Sequence, residues 1–394
     1  MPPTDRLTAV HIESYRAIAD VRFEPDRSRT VLVGGNGAGK SSVMDAIALV
    51  GDLLRWEERA LGGDLRGNVG GDDLGYSDLH HAFTDGPLRI TLEFVLGVRA
   101  YSYALALQGD AERWFIAHEA LSGPTLSGDG SDGEEALLAE RTESGARARR
   151  RESDGQIRLL PVRSQRHVPV LQLGEDGDLY PELVAPRTFV RGLLALRPIP
   201  AMMRGWTPLG QWPDPYGRDL QARLHRLQTE KARVLGSFLD HMGSFVGWTD
   251  LATPSRDGRV RARFNEADRP SPLALATASD GSVLEAWLLT LAYDPPQGAT
   301  VLLIDEPGTA FFERSHQRPA ELLKLLSASR QIVVATHLPQ LISVLGDPSR
   351  IWVAHREAGS GTRLERLPSN RTIEDVGLGE GALIAAEEIG RNSE

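Results

Sequence analysis

A glycine-rich segment at residues 34–42 has the residue types and the spacing of a phosphate-binding loop. It reads Gly-Gly-Asn-Gly-Ala-Gly-Lys-Ser-Ser and matches the P-loop pattern G-x-x-x-x-G-K-[ST]. Glycines let the backbone turn its N–H groups towards phosphate oxygens, the lysine reaches the β- and γ-phosphates, and the serine hydroxyl is a ligand for Mg²⁺. We therefore predict a site for ATP and Mg²⁺. The predicted nucleotide-binding residues are Gly34, Gly35, Asn36, Gly37, Ala38, Gly39, Lys40, Ser41 and Ser42.

Two adjacent carboxylates, Asp305 and Glu306, follow a run of four apolar residues that is typical of a buried strand. This is the Walker B arrangement, in which the strand directs both carboxylates towards the phosphates. We predict that Asp305 holds Mg²⁺ together with Ser41. We also predict that Glu306 is the catalytic base for the attacking water and that Lys40 assists at the γ-phosphate.

A histidine ends the next strand-like run. His337 follows residues 331–336, and ligands of open α/β sheets bind where such strands end. One interpretation is an ordinary loop histidine. The other is a catalytic group that senses the γ-phosphate. We favour it because His337 is at the tip of a predicted strand beside the Walker B carboxylates Asp305 and Glu306.

A short polar segment, Ser279, Asp280 and Gly281, precedes an apolar helical pattern. Ser279 and Asp280 suit a helix N-cap. The same geometry also suits an anion site, because a helix N-terminus presents backbone N–H groups and a hydroxyl. In the second interpretation these three residues act in trans, closing over the γ-phosphate that another subunit holds.

The predicted elements around these groups form a mixed sheet. Residues 7–14, 20–24 and 29–33 are predicted strands, and the last of them leads into the glycine-rich segment. A helix follows that segment, with one apolar face. The residues of that face are Val43, Ile47, Val50 and Leu54.

An antiparallel meander is predicted after this helix. Apolar and polar residues alternate from Arg89 to Leu96 and again from Tyr101 to Leu107, and a further strand is expected at residues 113–118. The predicted fold class is therefore α/β, with a mixed β-sheet core and an antiparallel meander.

The middle of the chain gives three further signals. Residues 122–135 are rich in turn formers and predict a flexible loop or insertion. Arg147 and Arg149–Arg151 follow, either as a solvated tether or as a contact for phosphate or an acidic partner. Residues 219–245 show a near-heptad helical pattern interrupted at Lys231, which predicts a short helical arm.

Composition limits the class of protein. The chain has 394 residues, 41% of them hydrophobic, with a net charge of −10 and no cysteine. Nucleic acid contact would therefore need a local basic patch. The absence of cysteine and of a long apolar run favours a cytoplasmic protein without membrane contact.

With these motifs assembled, the chain resembles the ABC-type ATPases of the RecF and SMC group, and most closely the compact ATPases related to the OLD family (overcoming lysogenisation defect). The resemblance rests on residues 10–18 as the opening strand, on 35–42, on Ser279-Asp280-Gly281-Ser282, and on Thr336-His337-Leu338-Pro339. It implies a P-loop ATPase head with an α-helical lobe or insertion. For the loop that links nucleotide to this lobe, His80 and His81 are the candidates.

The resemblance also implies a function. It predicts an ATP-dependent homodimer, or a higher even-numbered homo-oligomer, that controls a separately encoded effector, a nuclease or toxin, in anti-phage defence. A RecF-like clamp on duplex DNA is the alternative, so nucleic acid as a partner stays open. An energy-supplying subunit of a membrane transporter, a GTPase and a protein that binds ATP only for structure are less favoured.

We predict four regions along the chain. They are the N-terminal part of the head at residues 1–120, an insertion or linker, partly flexible, at 121–204, a helical lobe at 205–270, and the C-terminal part of the head at 271–394.

Overall fold

The structure is a computed structural model, and it describes only part of the chain. The described residues are 4–55, 76–82, 84–110, 114–126, 132–210, 213–266, 269–308, 311, 317–338, 341–342, 345, 350–357 and 361–367.

Strands and helices alternate in the head, whereas strands follow one another in the meander. The described strands are β1 (Arg6–Tyr15), β2 (Ile18–Phe23), β3 (Arg29–Val33), β4 (Leu88–Leu96), β5 (Arg99–Gly109), β6 (Trp114–Leu126), β7 (Asp132–Thr142), β8 (Gly145–Arg151), β9 (Ile157–Val162), β10 (Leu193–Leu196), β11 (Thr207–Pro208), β12 (Trp248–Ala252), β13 (Ser255–Arg256), β14 (Arg259–Val260), β15 (Arg263–Glu266), β16 (Leu273–Ala274), β17 (Val301–Asp305), β18 (Gln331–Thr336), β19 (Ile351–Glu357) and β20 (Gly361–Arg366). The described α-helices are α1 (Lys40–Arg55), α2 (Tyr76–Leu79), α3 (Pro181–Arg191), α4 (Leu220–Glu230), α5 (Ala232–Val246), α6 (Asp280–Tyr293) and α7 (Gln317–Ser327).

One large sheet runs through the molecule in the order β10-β17-β18-β3-β19-β20-β2-β1-β4-β5-β6-β7-β8-β9. Its first five strands are parallel, and β3, β18 and all but the last residue of β17 are fully buried. Burial on both faces explains why these strands read as continuous apolar runs rather than as alternating ones. The α/β fold class, with a mixed sheet and a meander, is confirmed.

Helix α1 packs against the sheet through the predicted apolar face. Val43, Ile47, Val50 and Leu54 are all buried, and the helix contacts β10, β1 and α3. Burial of four such side chains contributes about 6 kcal/mol or more before conformational entropy is subtracted. The face holds the N-terminus of α1 against the ends of the parallel strands.

The antiparallel part of the sheet confirms the predicted meander and extends it. Ile90, Leu92 and Phe94 on β4 are buried, as are the alternating residues from Tyr101 to Leu107 on β5. The third predicted strand is present as β6, and β7, β8 and β9 continue the sheet beyond it.

The prediction of a flexible loop over residues 122–135 is wrong for the residues that the structure describes there, because they lie in strands. Strand β6 continues to Leu126 and β7 begins at Asp132, while residues 127–131 lie outside the described residues. Turn-forming residues are tolerated here because backbone pairing, rather than apolar side chains, defines these strands. Gly123 has a direct role, since a Cβ at this position would lie 2.3 Å from the Tyr101 ring.

The arginine block is also ordered, so the interpretation as a solvated tether is wrong. It forms β8, where Arg149 Nε lies 2.6 Å from Glu182 Oε2 and Arg147 Nε lies 2.6 Å from Glu140 Oε1. The carboxylates that pair with these arginines are distant in sequence or sit on a neighbouring strand, which a local charge pattern does not show.

The predicted helical lobe contains helices and strands. Lys231 separates α4 from α5, as its interruption of the periodic pattern suggested, and both helices pack on α6. Two small sheets, β11-β14-β13 and β12-β15-β16, accompany them. Their strands are short, and several have only two residues, which is too few for an alternating pattern to be visible. The boundaries of the four regions stay predictions.

A buried ion pair joins α6 to α7 and predicts a pH dependence of stability. Glu285 is fully buried, its Oε1 lies 2.9 Å from Arg318 Nε, and its Oε2 has no hydrogen-bond partner among the described residues. Burial raises the pKa of Glu285 to about 7, against the opposing effect of Arg318. The folded chain therefore binds more protons than the unfolded chain between pH 4.5 and 7, so this group's contribution to stability is lost as pH rises through that range.

We expect Glu285→Gln to remove this loss. Between pH 5 and pH 8 the free energy of unfolding of the wild type should fall by about 2 to 3 kcal/mol more than that of the variant. Urea unfolding at the two pH values measures the difference. Equal pH dependence in both proteins would contradict it.

No helix among the described residues is long and apolar enough to cross a membrane.

Candidate functional site

The glycine-rich segment connects the end of β3 to the start of α1 and has the backbone conformation of a tight cradle. Gly34, Gly37 and Gly39 have φ values of 151°, 74° and 96°. These values lie in the region that side chains with a Cβ rarely adopt. Gly39 is also confined sterically, because a Cβ there would lie 1.9 Å from Thr362 Oγ1. Strands β19 and β20 therefore pack directly behind the cradle.

The first turn of α1 carries the two polar side chains predicted to contact phosphate and metal. Lys40 Nζ lies 2.8 Å from the Gly34 carbonyl oxygen and 3.1 Å from that of Gly35, so the ammonium group bends back over the cradle. Burial lowers the pKa of Lys40, and the carboxylates of Glu306 and Asp305 oppose this effect. The first turn of α1 has no acidic residue. Its positive end is thus available to an anion.

The predicted metal ligands lie together although 264 residues separate them. The hydroxyl of Ser41 donates to Asp305 Oδ2 at 2.7 Å. The other oxygen, Asp305 Oδ1, is buried and has no hydrogen-bond partner among the described residues. A hydroxyl beside a carboxylate with a spare oxygen suits Mg²⁺, which is typically held by few protein ligands together with phosphate oxygens. The residues present therefore fit the ion.

The register of the parallel strands explains why Ser41 and Asp305 are close in space. β17, β18 and β3 are parallel neighbours, with Asp305 opposite Ala335 and Thr336 opposite Val33. Their carboxyl ends therefore lie at one edge of the sheet, where ligands of such sheets bind.

Glu306 and His337 form a contact at the same edge. His337 Nδ1 lies 2.7 Å from Glu306 Oε1, and the Glu306 amide donates to the Ala335 carbonyl at 2.9 Å. Glu306 has a φ of 50°, an unfavourable conformation for a residue with a side chain. Such strain costs about 1–3 kcal/mol and is most common at functional sites. Pro339, the last residue of the predicted switch motif, lies outside the described residues.

Three further polar residues line the site, and the sequence analysis assigned them no role. Asp45 on α1 is buried and lies 2.6 Å from Arg16 Nη1 and 2.6 Å from Arg197 Nη2. Arg197 Nε lies 3.3 Å from Asp305 Oδ2. Burial acts to lower the pKa of Arg197, but Asp45 and Asp305 outweigh it and raise that pKa. The guanidinium of Arg197 thus connects the phosphate-loop helix to the Walker B carboxylate.

One sequence signal could have found this cluster. Asp45 is the one charged residue in an otherwise apolar run from Val43 to Val50 on the helix that follows the cradle, and a charged residue that is buried with such a helix requires a partner. Nothing in the sequence indicates that the partners are Arg16 and Arg197.

The Ser279 segment forms the N-cap of α6. Ser279 Oγ accepts from the Ser282 amide at 3.2 Å, Asp280 pairs with Arg204, and Arg204 Nη1 donates to the Ala278 carbonyl at 2.6 Å. Within the described residues, hydroxyl contacts of Ser279 are made only with Ser282, and the side chain is exposed. The structure thus supports the N-cap interpretation, and the role of these residues in trans stays a prediction.

His80 and His81 are held by backbone oxygens. His80 Nε2 lies 2.6 Å from the Gly86 carbonyl, and His81 Nδ1 lies 2.5 Å from the Arg16 carbonyl. Their proposed role as the link between nucleotide and lobe stays a prediction.

The parallel core, the cradle and the carboxylates at one sheet edge define an ABC-type P-loop ATPase head. The chain belongs to the family described as "AAA domain, putative AbiEii toxin, Type IV TA system", whose sequence profile matches residues 29–343. Comparison with curated proteins gives no match.

Solved structures that this chain matches include three SMC heads. An SMC head bound to the C-winged helix domain of ScpA has a TM-score of 0.50 and 14% identity, over 93% of this chain and 99% of that chain. The head from Thermotoga maritima has a TM-score of 0.42 and 15% identity, over 92% of this chain and 99% of that chain. A head with an extended coiled coil, bound to the C-terminal domain of ScpA derived from Pyrococcus furiosus, has a TM-score of 0.48 and 13% identity. The match covers 98% of this chain and 99% of that chain. The head bound to the C-winged helix domain of ScpA, with its TM-score of 0.50, shows the shared fold.

Proposed function

We propose that the protein binds and slowly hydrolyses ATP, and that ATP pairs two heads into a state that controls a separately encoded effector in anti-phage defence. The observation that carries the proposal is the convergence of Ser41, Asp305 and Glu306 at the edge of the sheet where the cradle ends. The family description, which includes a toxin of a type IV toxin–antitoxin system, supports a defence role with a nuclease or toxin as effector. The finer relation to the OLD family is part of this proposal.

Each residue of the site has one task in the proposed reaction, in which ATP and water give ADP and phosphate. The backbone N–H groups of the cradle and the Lys40 ammonium hold the phosphates, and Ser41 and Asp305 hold Mg²⁺. When bound, Mg²⁺ neutralises charge on the β- and γ-phosphate oxygens. Glu306 accepts a proton from the attacking water, and the contact with His337 keeps its carboxylate in position.

Ser279 completes the site of the opposite head in this proposal. Its hydroxyl is exposed at the positive end of a 14-residue helix, and the pairing of Arg204 with Asp280 holds that end in place. An exposed helix N-terminus stabilises an anion only when the anion is brought to it, as pairing with a nucleotide-bound head would do.

Mixing two inactive variants tests this arrangement. Glu306→Gln lacks the base and Ser279→Arg lacks the trans contact, so each should hydrolyse ATP poorly alone. In a mixed dimer, one site combines the intact Glu306 of one chain with the intact Ser279 of the other. We expect an equimolar mixture to release phosphate faster than either variant alone, up to about a quarter of the wild-type rate, because each mixed dimer has one intact site out of two.

Ser271→Arg, which changes an exposed serine upstream of the helix, is the matched control and should retain activity alone. If the two inactive variants do not complement each other, Ser279 does not act in trans.

A further inference from the structure

A cleft at the outer end of the meander has the composition of an anion site. It has a volume of about 870 Å³ and lies where β5, β7 and β9 end and where β6 and β8 begin. The segment after β9 crosses this edge and is fixed to β6 by the bond from the Ile116 amide to the Arg166 carbonyl, 2.8 Å long. The cleft is therefore built by paired strands and a tethered crossing segment.

Three arginines line the cleft, against one lining carboxylate, that of Glu143, in its described part. Arg141 is only 5% exposed, and its Nη2 donates to Ser164 Oγ at 2.7 Å and to the Val168 carbonyl at 2.8 Å. These bonds hold the base of the cleft, and Arg141 Nε forms an ion pair with the buried Glu119, 4.0 Å from Glu119 Oε2. Arg141 is therefore a structural part of the cleft floor.

The other two arginines are exposed to solvent, and neither has a counter-ion among the residues that the structure describes. Arg163 makes no ion pair with any residue that the structure describes, and the guanidinium carbon of Arg166 lies 5.2 Å from the centre of the Phe115 ring. Arg166 is close enough to Arg141 to lower the pKa of that buried guanidinium further, after burial itself. Like charges gathered in this way are stabilised by an anion placed among them.

The charge of the surrounding strands points the same way. Residues 141–167 contain eight arginines and three carboxylates, in a chain whose net charge is −10. A local positive field in an acidic protein attracts a polyanion to one place rather than to the whole surface. Arg147 and Arg158, which lie on the same strands, are already paired with Glu140 and Glu152.

We propose that this cleft binds single-stranded nucleic acid, with Arg163 at a phosphate and a base stacked on Arg166, above the floor that Arg141 holds in place. Guanidinium planes and aromatic rings are the usual stacking partners of unpaired bases, and arginine is the usual partner of the phosphates. The cleft is open and larger than one phosphate requires, which suits several nucleotides. β7 lies eight strands from β3 in the sheet, about 40 Å along it, so the site is distinct from the ATP site and does not depend on the proposed ATPase.

Fluorescence anisotropy with a labelled oligothymidylate of about twelve nucleotides tests the proposal. Titrations are made with saturating Mg-ATP, so that the nucleotide site is not the source of binding. We expect the double variant Arg163→Gln, Arg166→Gln to bind at least about tenfold more weakly than the wild type. Its salt dependence should also be reduced, by about 1 in the slope of log K against log salt.

The double variant Arg147→Gln, Arg158→Gln removes the same charge from the neighbouring strands β8 and β9, outside the cleft, and should change affinity by about twofold or less. Both double variants should unfold at the wild-type temperature, because the four side chains are exposed or half-exposed. The proposal is overturned if the wild type does not bind, if both double variants lose affinity equally, or if ATP displaces the strand. It is also overturned if duplex DNA or polyglutamate binds as tightly as the single strand.

Discussion

Glu306→Gln should lower the turnover of ATP by about 100-fold to 1,000-fold while leaving ATP binding intact. The amide has the shape of the carboxylate and still reaches His337, but it does not accept a proton from water. Lys40 is held by the carbonyl oxygens of Gly34 and Gly35, and Ser41 is held by Asp305, so affinity for the nucleotide should be retained. Phosphate release gives the turnover, and calorimetric titration with Mg-ATP gives the affinity.

Glu93→Gln makes the same chemical change at an exposed carboxylate of the meander, where Glu93 pairs with Arg22 at 3.3 Å. This control should hydrolyse ATP at the wild-type rate. Wild-type turnover in Glu306→Gln would show that another group is the base. Loss of ATP binding in that variant would show instead that Glu306 belongs to the nucleotide cradle.

Asp45→Asn should destabilise the fold by about 3 kcal/mol. The substitution leaves the guanidinium groups of Arg16 and Arg197 beside a neutral amide. Water cannot replace the lost charge there, because the Asp45 side chain is only 3% exposed. Removing one member of a buried ionic cluster is costly because the remaining charges keep their desolvation penalty without the compensating attraction. Urea unfolding, followed by tryptophan fluorescence, measures the change in the free energy of unfolding.

Asp20→Asn is the matched control, because Asp20 pairs with His11 on an exposed part of the sheet where its side chain is 71% exposed. Its effect should stay within about 0.5 kcal/mol. An equally small effect of Asp45→Asn would mean that the cluster contributes little to stability.

The cradle and the Walker B strand could be predicted because their chemistry is local in sequence. Positive φ at Gly34, Gly37 and Gly39 requires glycine, and burial of β17 on both faces requires an apolar run before Asp305. Such requirements restrict residue types at fixed spacing, which is what a sequence shows directly.

The Asp45 cluster could not be predicted because its members meet only through the fold. Arg197 is 152 residues from Asp45 and reaches it because β10 lies next to β17 and α1 packs on β10. Asp45 indicated that a partner was needed, but no pattern in the sequence indicated which arginine would provide it.

In the meander, composition predicted a loop where the structure has a strand. Residues 122–126 read as a loop from composition, yet they continue β6, because β7 pairs with this segment from Ser122 to Leu126 and supplies its backbone hydrogen bonds. Local propensity is weaker than such pairing in the middle of a sheet.

The most direct test of the account is the solution mass of Glu306→Gln, measured by light scattering after gel filtration, with and without Mg-ATP. We predict that ATP doubles the mass from that of the 43.0 kDa chain, and that adding Ser279→Arg to the same protein abolishes the doubling. A mass that ATP does not change, or a doubling that survives Ser279→Arg, would contradict ATP-dependent pairing through the α6 N-terminus.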